Sequence, residues 1–170
     1  MKQNIAILGS TGSVGKSLIN IISRDIKKFN ISLLTTNKNY KLIFKQAKEF
    51  NVKYLIIIDP ESYYLAIKYS TNKKIKIFNN FNSLDKIFKK KNDYTMCAIS
   101  GFEGLKPTFN MIKYSKKIAI ANKESIVCGW PLLQDEMKKN KTEFIPIDSE
   151  HFSIWYGINR INKKKIRGVK

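Results

Sequence analysis

The chain has 170 residues, 43% of them hydrophobic, which suits one domain with a substantial core and excludes a tail or linker. Its formal net charge is +19, yet of 32 basic residues only Arg24, Arg160 and Arg167 are arginine, the side chain that best forks onto phosphates and base edges. The lysine excess, mixed with abundant Asn and Ile, therefore reads as the drift of an AT-rich genome and not as a specific nucleic-acid surface. No apolar run approaches the roughly 20 residues of a membrane span. Cys97 and Cys128 are too few and too far apart for a disulfide framework, and the first strand begins almost at once with no room for a leader, so a cytoplasmic chain is expected.

The first element is the apolar run Ile5-Ala6-Ile7-Leu8, expected as a buried strand over 4–8, after which Val14, Leu18, Ile21 and Ile22 recur at helical spacing. Between them lies Gly9-Ser10-Thr11-Gly12-Ser13-Val14-Gly15-Lys16-Ser17, a strand–glycine turn–helix arrangement. Unpaired N–H groups and the dipole at a helix start favour a phosphate there. The tail Gly15-Lys16-Ser17 looks like the end of a P-loop, but that pattern needs glycine at position 10, which is Ser10. The spacing Gly9, Gly12, Gly15 is instead a relative of the dinucleotide fingerprint, retaining its second and third glycine roles. An ordinary glycine helix start is the bland alternative.

The second strand, near 31–35, runs into Thr35-Thr36-Asn37-Lys38-Asn39, about twenty residues past the turn, where a dinucleotide's ribose would lie. An acid there would bind a free 2′-hydroxyl. The lack of Asp or Glu and the presence of Lys38 favour NADP, against the alternative that Lys38 is one more surface lysine.

Further strands are expected near 54–58, 75–78, 94–99, 117–120 and 143–147, with helical patterns in most gaps. This alternation implies an α/β fold, a doubly wound, mostly parallel, Rossmann-like sheet with helices on both faces. Ligands should then sit at the strand C-termini. Three loops with unusual residues fall there: Gly101-Phe102-Glu103-Gly104, Asn122-Lys123-Glu124 and Asp148-Ser149-Glu150-His151.

Asp148 and Glu150 offer two carboxylates suited to Mg²⁺ or Mn²⁺, too few alone to fill an octahedral site. Equally, Asp148 could cap a helix with Glu150 in its first turn. Asn122 and Glu124 divide the same way, as cap and first-turn acid. Lys123 opposes the helix dipole, which is explicable if it faces an anionic ligand, and it is otherwise an exposed lysine.

Taken together, Gly9-Ser-Thr-Gly-Ser-Val-Gly15, Gly101-Phe-Glu-Gly-Leu-Lys-Pro107, Ala121-Asn-Lys-Glu-Ser125 and Pro146-Ile-Asp-Ser-Glu-His151 resemble the 1-deoxy-D-xylulose 5-phosphate reductoisomerases in order and spacing. The resemblance implies that Thr11, Gly12, Ser13 and Val14 bind the NADPH pyrophosphate region. It puts Asn37, Lys38 and Asn39 near the 2′-phosphate, and adds Asn122 and Glu124 to the cofactor contacts. It makes Lys123, Ser149 and Glu150 substrate contacts and Asp148 and Glu150 ligands of Mg²⁺ or Mn²⁺, with Lys123, Asp148 and Glu150 serving catalysis. The implied reaction rearranges a sugar phosphate, 1-deoxy-D-xylulose 5-phosphate, and reduces the product to 2-C-methyl-D-erythritol 4-phosphate for isoprenoid synthesis. The full-length family implies a homodimer.

Two departures stand out. Asn37 occupies a position where the family commonly has glycine. Members are also more than twice this long, so residues 1–147 are expected to form the NADPH-binding domain and 148–170 only the start of a central catalytic domain, leaving this chain alone without turnover. A semialdehyde-dehydrogenase-type oxidoreductase, which needs a catalytic cysteine, and an inactive binding fragment remain as alternatives.

Overall fold

The structure is a computed structural model that describes residues 2–70, 74–147, 152–153 and 156–157. Strand and helix alternate along the chain: β1 (Gln3–Leu8), α1 (Ser13–Ser23), β2 (Phe29–Thr36), α2 (Tyr40–Glu49), β3 (Tyr54–Ile57), α3 (Pro60–Tyr69) and β4 (Lys76–Phe78). The second half follows with α4 (Leu84–Ile87), β5 (Tyr94–Cys97), α5 (Leu105–Ile112), β6 (Lys117–Ile120), α6 (Lys123–Asn140) and β7 (Glu143–Pro146).

The strands form one seven-stranded sheet in the order β4-β3-β2-β1-β5-β6-β7. Every neighbouring pair is parallel. Parallel pairing demands a crossover between strands, and the helices supply it while covering both faces. Along β1, Ile5 and Ile7 face one core with Ile22, Ile43, Phe44 and Ala66 of α1, α2 and α3. Ala6 and Leu8 face the other with Leu84, Met111, Ile112 and Leu133 of α4, α5 and α6. The doubly wound sheet expected from the sequence is thus observed.

In β2 the alternation is broken by one residue. Ile5 pairs with Ile31 but Ala6 pairs with Leu33, so Ser32 is extra. Its single hydroxyl proton is shared between the Ile5 carbonyl at 3.0 Å and Asn92 Oδ1 at 2.9 Å. The bulge is what lets Ile31 and Leu34 share one face while Leu33 turns to the other.

Two expectations are corrected in detail. The strand expected over 94–99 ends at Cys97; the Ala98 N–H still donates to the Leu8 carbonyl at 2.9 Å, and its own carbonyl lies over Gly9 at the end of β1. On α1 the buried stripe is Gly15, Ile19 and Ile22, whereas Val14 and Ile21 are exposed. The helix docks through Gly15 against the backbone of the turn, and that contact sets its rotation.

Candidate functional site

β1 lies between β2 and β5, the point where the winding of the sheet reverses direction. In open α/β sheets the crevice beyond the strand ends at such a point is the ligand position. The glycine turn occupies that place.

Two of its glycines are required by the fold. Gly9 has φ +77°, and a Cβ there would stand 2.6 Å from the Ala98 carbonyl oxygen. A Cβ on Gly15 would stand 2.3 Å from the Gly9 carbonyl oxygen, so only glycine lets α1 dock on the turn. Gly12 is different: a Cβ there would meet nothing closer than 3.4 Å, an ordinary contact. Gly12 takes the N-cap position of α1 in extended backbone (φ −77°, ψ 177°), offers no side-chain cap, and is followed by a first turn with no acid. Gly12, Ser13 and Val14 are exposed and Thr11 is half-buried, so the N-terminal end of the helix is open to a ligand. Helix-start N–H groups that lack a cap are the donors an anion uses.

The turn is anchored by a network that includes one residue, Gln46, that the sequence motifs do not contain. Ser10 is fully buried. Its hydroxyl donates to Gln46 Oε1 at 2.8 Å, the Gln46 amide returns a bond to the Ser10 carbonyl at 3.0 Å, and the Ser10 N–H donates to the Thr35 carbonyl at 2.9 Å. The Gly9 N–H donates to Thr35 Oγ1 at 2.9 Å, and the Thr11 and Thr36 hydroxyls lie 2.6 Å apart. The serine that breaks the P-loop pattern is therefore the pin that ties the turn to β2 and α2. Gln46 sits in an ordinary helical stretch, and only its burial marks it.

At the end of β2, Asn37, Lys38 and Asn39 are all exposed. Asn39 is the N-cap of α2, its Oδ1 accepting the Leu42 N–H at 3.1 Å. Asn37 is not among the described non-glycine residues with positive φ, which are Asn51 and Lys141, so the replacement of the family's glycine needs no left-handed backbone. The sequence around Lys38 is free of acids, but the fold brings one from the start of α3. Asp59 Oδ1 lies 4.0 Å from Lys38 Nζ. Asp59 is also the N-cap of α3, with its Oδ2 accepting the Ser62 N–H at 2.9 Å. Those bonds from Ser62, and secondarily the Lys38 charge, hold its carboxyl below the usual range.

The loops after β5 and β6 complete the edge. Asn122 occupies the N-cap position of α6, as expected, but its side chain makes no cap bond. Instead Nδ2 donates to the Gly101 carbonyl at 2.8 Å, using space that exists because Gly104 has no side chain; a Cβ there would be 2.3 Å from that nitrogen. Asn122 Oδ1 and Ser125 Oγ are buried without a hydrogen-bond partner among the described residues. Lys123 and Glu124 are exposed on the first turn of α6. The structure thus sets Thr11–Val14, Asn37–Asn39 and Asn122–Glu124 on one sheet edge. Asp148, Ser149 and Glu150, together with His151, lie outside the described residues. Among the described residues no group of three His, Cys, Asp or Glu could hold a metal ion.

Cys97 is buried in β5 among the core side chains, and burial pushes its thiol up to about 12, against the smaller opposing effect of a hydrogen bond with Thr108. A thiol in that state is no nucleophile at neutral pH. Cys128 is exposed on α6. The cysteine-dependent alternative therefore has no support from Cys97.

A forced-glycine turn and an open helix start, at the switch point of a doubly wound parallel sheet, define the dinucleotide-binding class of α/β domain. Comparison with known proteins narrows the class. The family model described as 1-deoxy-D-xylulose 5-phosphate reductoisomerase matches residues 5–129. The chain belongs to that family. It is 58% identical over 164 residues to the 1-deoxy-D-xylulose 5-phosphate reductoisomerase of Pelagibacter ubique, a match covering 95% of this chain and 42% of that protein. The Thermotoga maritima enzyme is 34% identical, with 91% of this chain and 39% of that protein covered. Among solved structures, the Zymomonas mobilis reductoisomerase in complex with NADPH superposes with a TM-score of 0.80 at 33% identity, covering 88% of this chain and 40% of that one. A reductoisomerase in complex with NADPH, fosmidomycin and magnesium gives 0.79 at 32% identity, covering 88% and 37%. The chain spans about two fifths of the length of these relatives.

Proposed function

We propose that this chain is the NADPH-binding portion of a 1-deoxy-D-xylulose 5-phosphate reductoisomerase, residues 1–147 forming the cofactor domain and 148–170 opening the central catalytic domain. The observation that carries the reading is the open N-terminus of α1 at the switch point, where Gly9 and Gly15 are sterically required and Gly12 is not. Glycine at position 12, unforced by the fold, keeps the surface bare where a pyrophosphate would approach. The N–H groups of the α1 first turn, with Thr11, Ser13 and Val14 around them, would bind that pyrophosphate. Lys38, with Asn37 and Asn39, would meet the 2′-phosphate, and Asn122 and Glu124 would contribute from α6.

In the whole enzyme, NADPH supplies the hydride that reduces the rearranged sugar phosphate, and the protein's part is to hold and orient it. Lys123 would neutralise charge on the substrate, to which Ser149 and Glu150 would also bind. Asp148 and Glu150 would hold a Mg²⁺ or Mn²⁺ ion, which would supply Lewis-acid stabilisation of negative charge developing during the rearrangement. Two ligating carboxylates leave coordination positions for substrate and further donors. The remaining parts of the reading are a cytoplasmic location, a homodimer at full length and no specific nucleic-acid partner. Among the described residues no helix is long and apolar enough to cross a membrane.

Isothermal titration of this chain with NADPH and NADH tests the cofactor assignment. NADPH is expected to bind more tightly, and equal affinities would remove the role given to Lys38. Titration with Mn²⁺ of the full-length protein and its Asp148→Asn, Glu150→Gln double variant tests the metal pair, which unchanged affinity would refute.

A further inference from the structure

Asp59 stands beside the proposed 2′-phosphate position and belongs to no motif that drew attention in the sequence. Its two oxygens are divided between tasks. Oδ2 is held by the Ser62 N–H at 2.9 Å, which pins the carboxylate to the start of α3, while Oδ1 lies 4.0 Å from Lys38 Nζ. The loop is fixed from below as well, since the Asp59 N–H donates to the Asn37 carbonyl at 3.2 Å and the Ile58 N–H to the Thr36 carbonyl at 3.1 Å. The Lys38 side chain is 75% exposed and that of Asp59 21%. The cation is thus the movable member of the pair and the anion the fixed one.

We propose that Asp59 is a specificity-determining residue of the cofactor site: a fixed negative charge that competes with the 2′-phosphate for Lys38 and lowers the preference for NADPH over NADH. This rests on the reading that Lys38 meets the 2′-phosphate. An arriving phosphate draws the ammonium away from Asp59 but cannot displace the carboxylate, whose cap bond and backbone anchor hold it. One cation then serves two anions separated by no more than the reach of a lysine side chain. The repulsion burdens NADPH alone, because NADH carries a hydroxyl at that position. The low proton affinity of Asp59, set mainly by Ser62, keeps this charge in place throughout the neutral range.

The experiment is titration of the chain, as wild type, Asp59→Asn and Asp59→Ser, with NADPH and with NADH at low and high salt. Asn and Ser both serve as N-caps, so α3 keeps its start while the charge is removed. NADPH affinity should rise roughly three- to tenfold at low salt, shrink towards no change at high salt, and NADH affinity should stay level. Tighter NADPH binding in either folded variant, with NADH unchanged, supports the proposal. Unchanged NADPH affinity in a wild type that prefers NADPH overturns it and leaves the site reading intact. A parallel loss for both cofactors reduces Asp59 to a structural cap, and a selective loss of NADPH makes it a tether for Lys38; either result overturns the proposal. Equal binding of both cofactors by the wild type defeats the Lys38 assignment itself.

Discussion

The start of α1 and the start of α6 lie on the same sheet edge, yet they are finished to different degrees. Around the glycine turn the buried side chains are paired within the chain, although the first-turn N–H groups of α1 stay uncapped: Ser10, Thr35 and Gln46 exchange bonds in a buried network, and the Ala98 carbonyl just past β5 packs against Gly9. At α6 the Asn122 side chain reaches the Gly101 carbonyl, but Asn122 Oδ1 and Ser125 Oγ stay buried and unpartnered among the described residues. Buried polar atoms are normally paired, so the two helix starts differ in how far their buried side-chain polar atoms are satisfied among the described residues. The proposed position of the cofactor's pyrophosphate adjoins the first region. The proposed substrate end, at Lys123 and beyond, adjoins the second.

The largest break in that comparison should come from Gly15→Ala. Its Cβ would stand 2.3 Å from the Gly9 carbonyl oxygen and 2.6 Å from Ser10 Cα, so the backbone of turn or helix must move. A loss of about 3 kcal/mol in denaturant unfolding is expected, together with loss of NADPH binding. A loss below about 1 kcal/mol would mean that the turn yields easily.

Next in size is a paired measurement on Gln46 and Asn122. Gln46→Ala strands the Ser10 carbonyl in the core and leaves its hydroxyl only the longer 3.3 Å contact to the Thr35 carbonyl, costing about 1–3 kcal/mol of stability. Asn122→Ala gives up one bond to the Gly101 carbonyl but also removes an acceptor that had no partner, so it should cost about 1 kcal/mol or less. Equal losses would show that the two regions are equally complete.

The smallest effect concerns Asp59. Because its carboxyl titrates below the ordinary 3.8, the folded state binds its proton less readily than the unfolded chain. Its ionised form therefore adds stability that is fully present above pH 3.8 and fades as pH falls through the lower folded value. The stability difference between wild type and Asp59→Asn should thus shift against the wild type as pH falls from 3.8 through the lower folded value. A difference flat across that window, measured by denaturation, would contradict the Ser62 and Lys38 contacts.

Much of this was legible without coordinates, for reasons that differ by element. The strands of β1 and β6 read clearly because a parallel strand covered on both faces is a continuous apolar run, as in Ile5–Leu8 and Ile118–Ile120. The rotation of α1 did not. Its hydrophobic residues support more than one stripe, and the contact of Gly15 with the turn selects Gly15, Ile19 and Ile22. Asn122 was correctly placed at a helix start, yet its side chain left the cap, since the empty volume at Gly104 offered the Gly101 carbonyl instead. Gln46 and Asp59 carried no local signal, as each matters through a partner far along the chain.

By itself, the order of residues determined the alternating fold, the glycine turn and the family, because strand periodicity, helix starts and motif spacing are local properties of a chain. Tertiary structure alone decided which glycines are compulsory, how Ser10 is pinned and which charge stands opposite Lys38. Those depend on what approaches in space: the Ala98 carbonyl over Gly9, the Gln46 amide on Ser10, and a carboxylate from the start of α3 beside the end of β2.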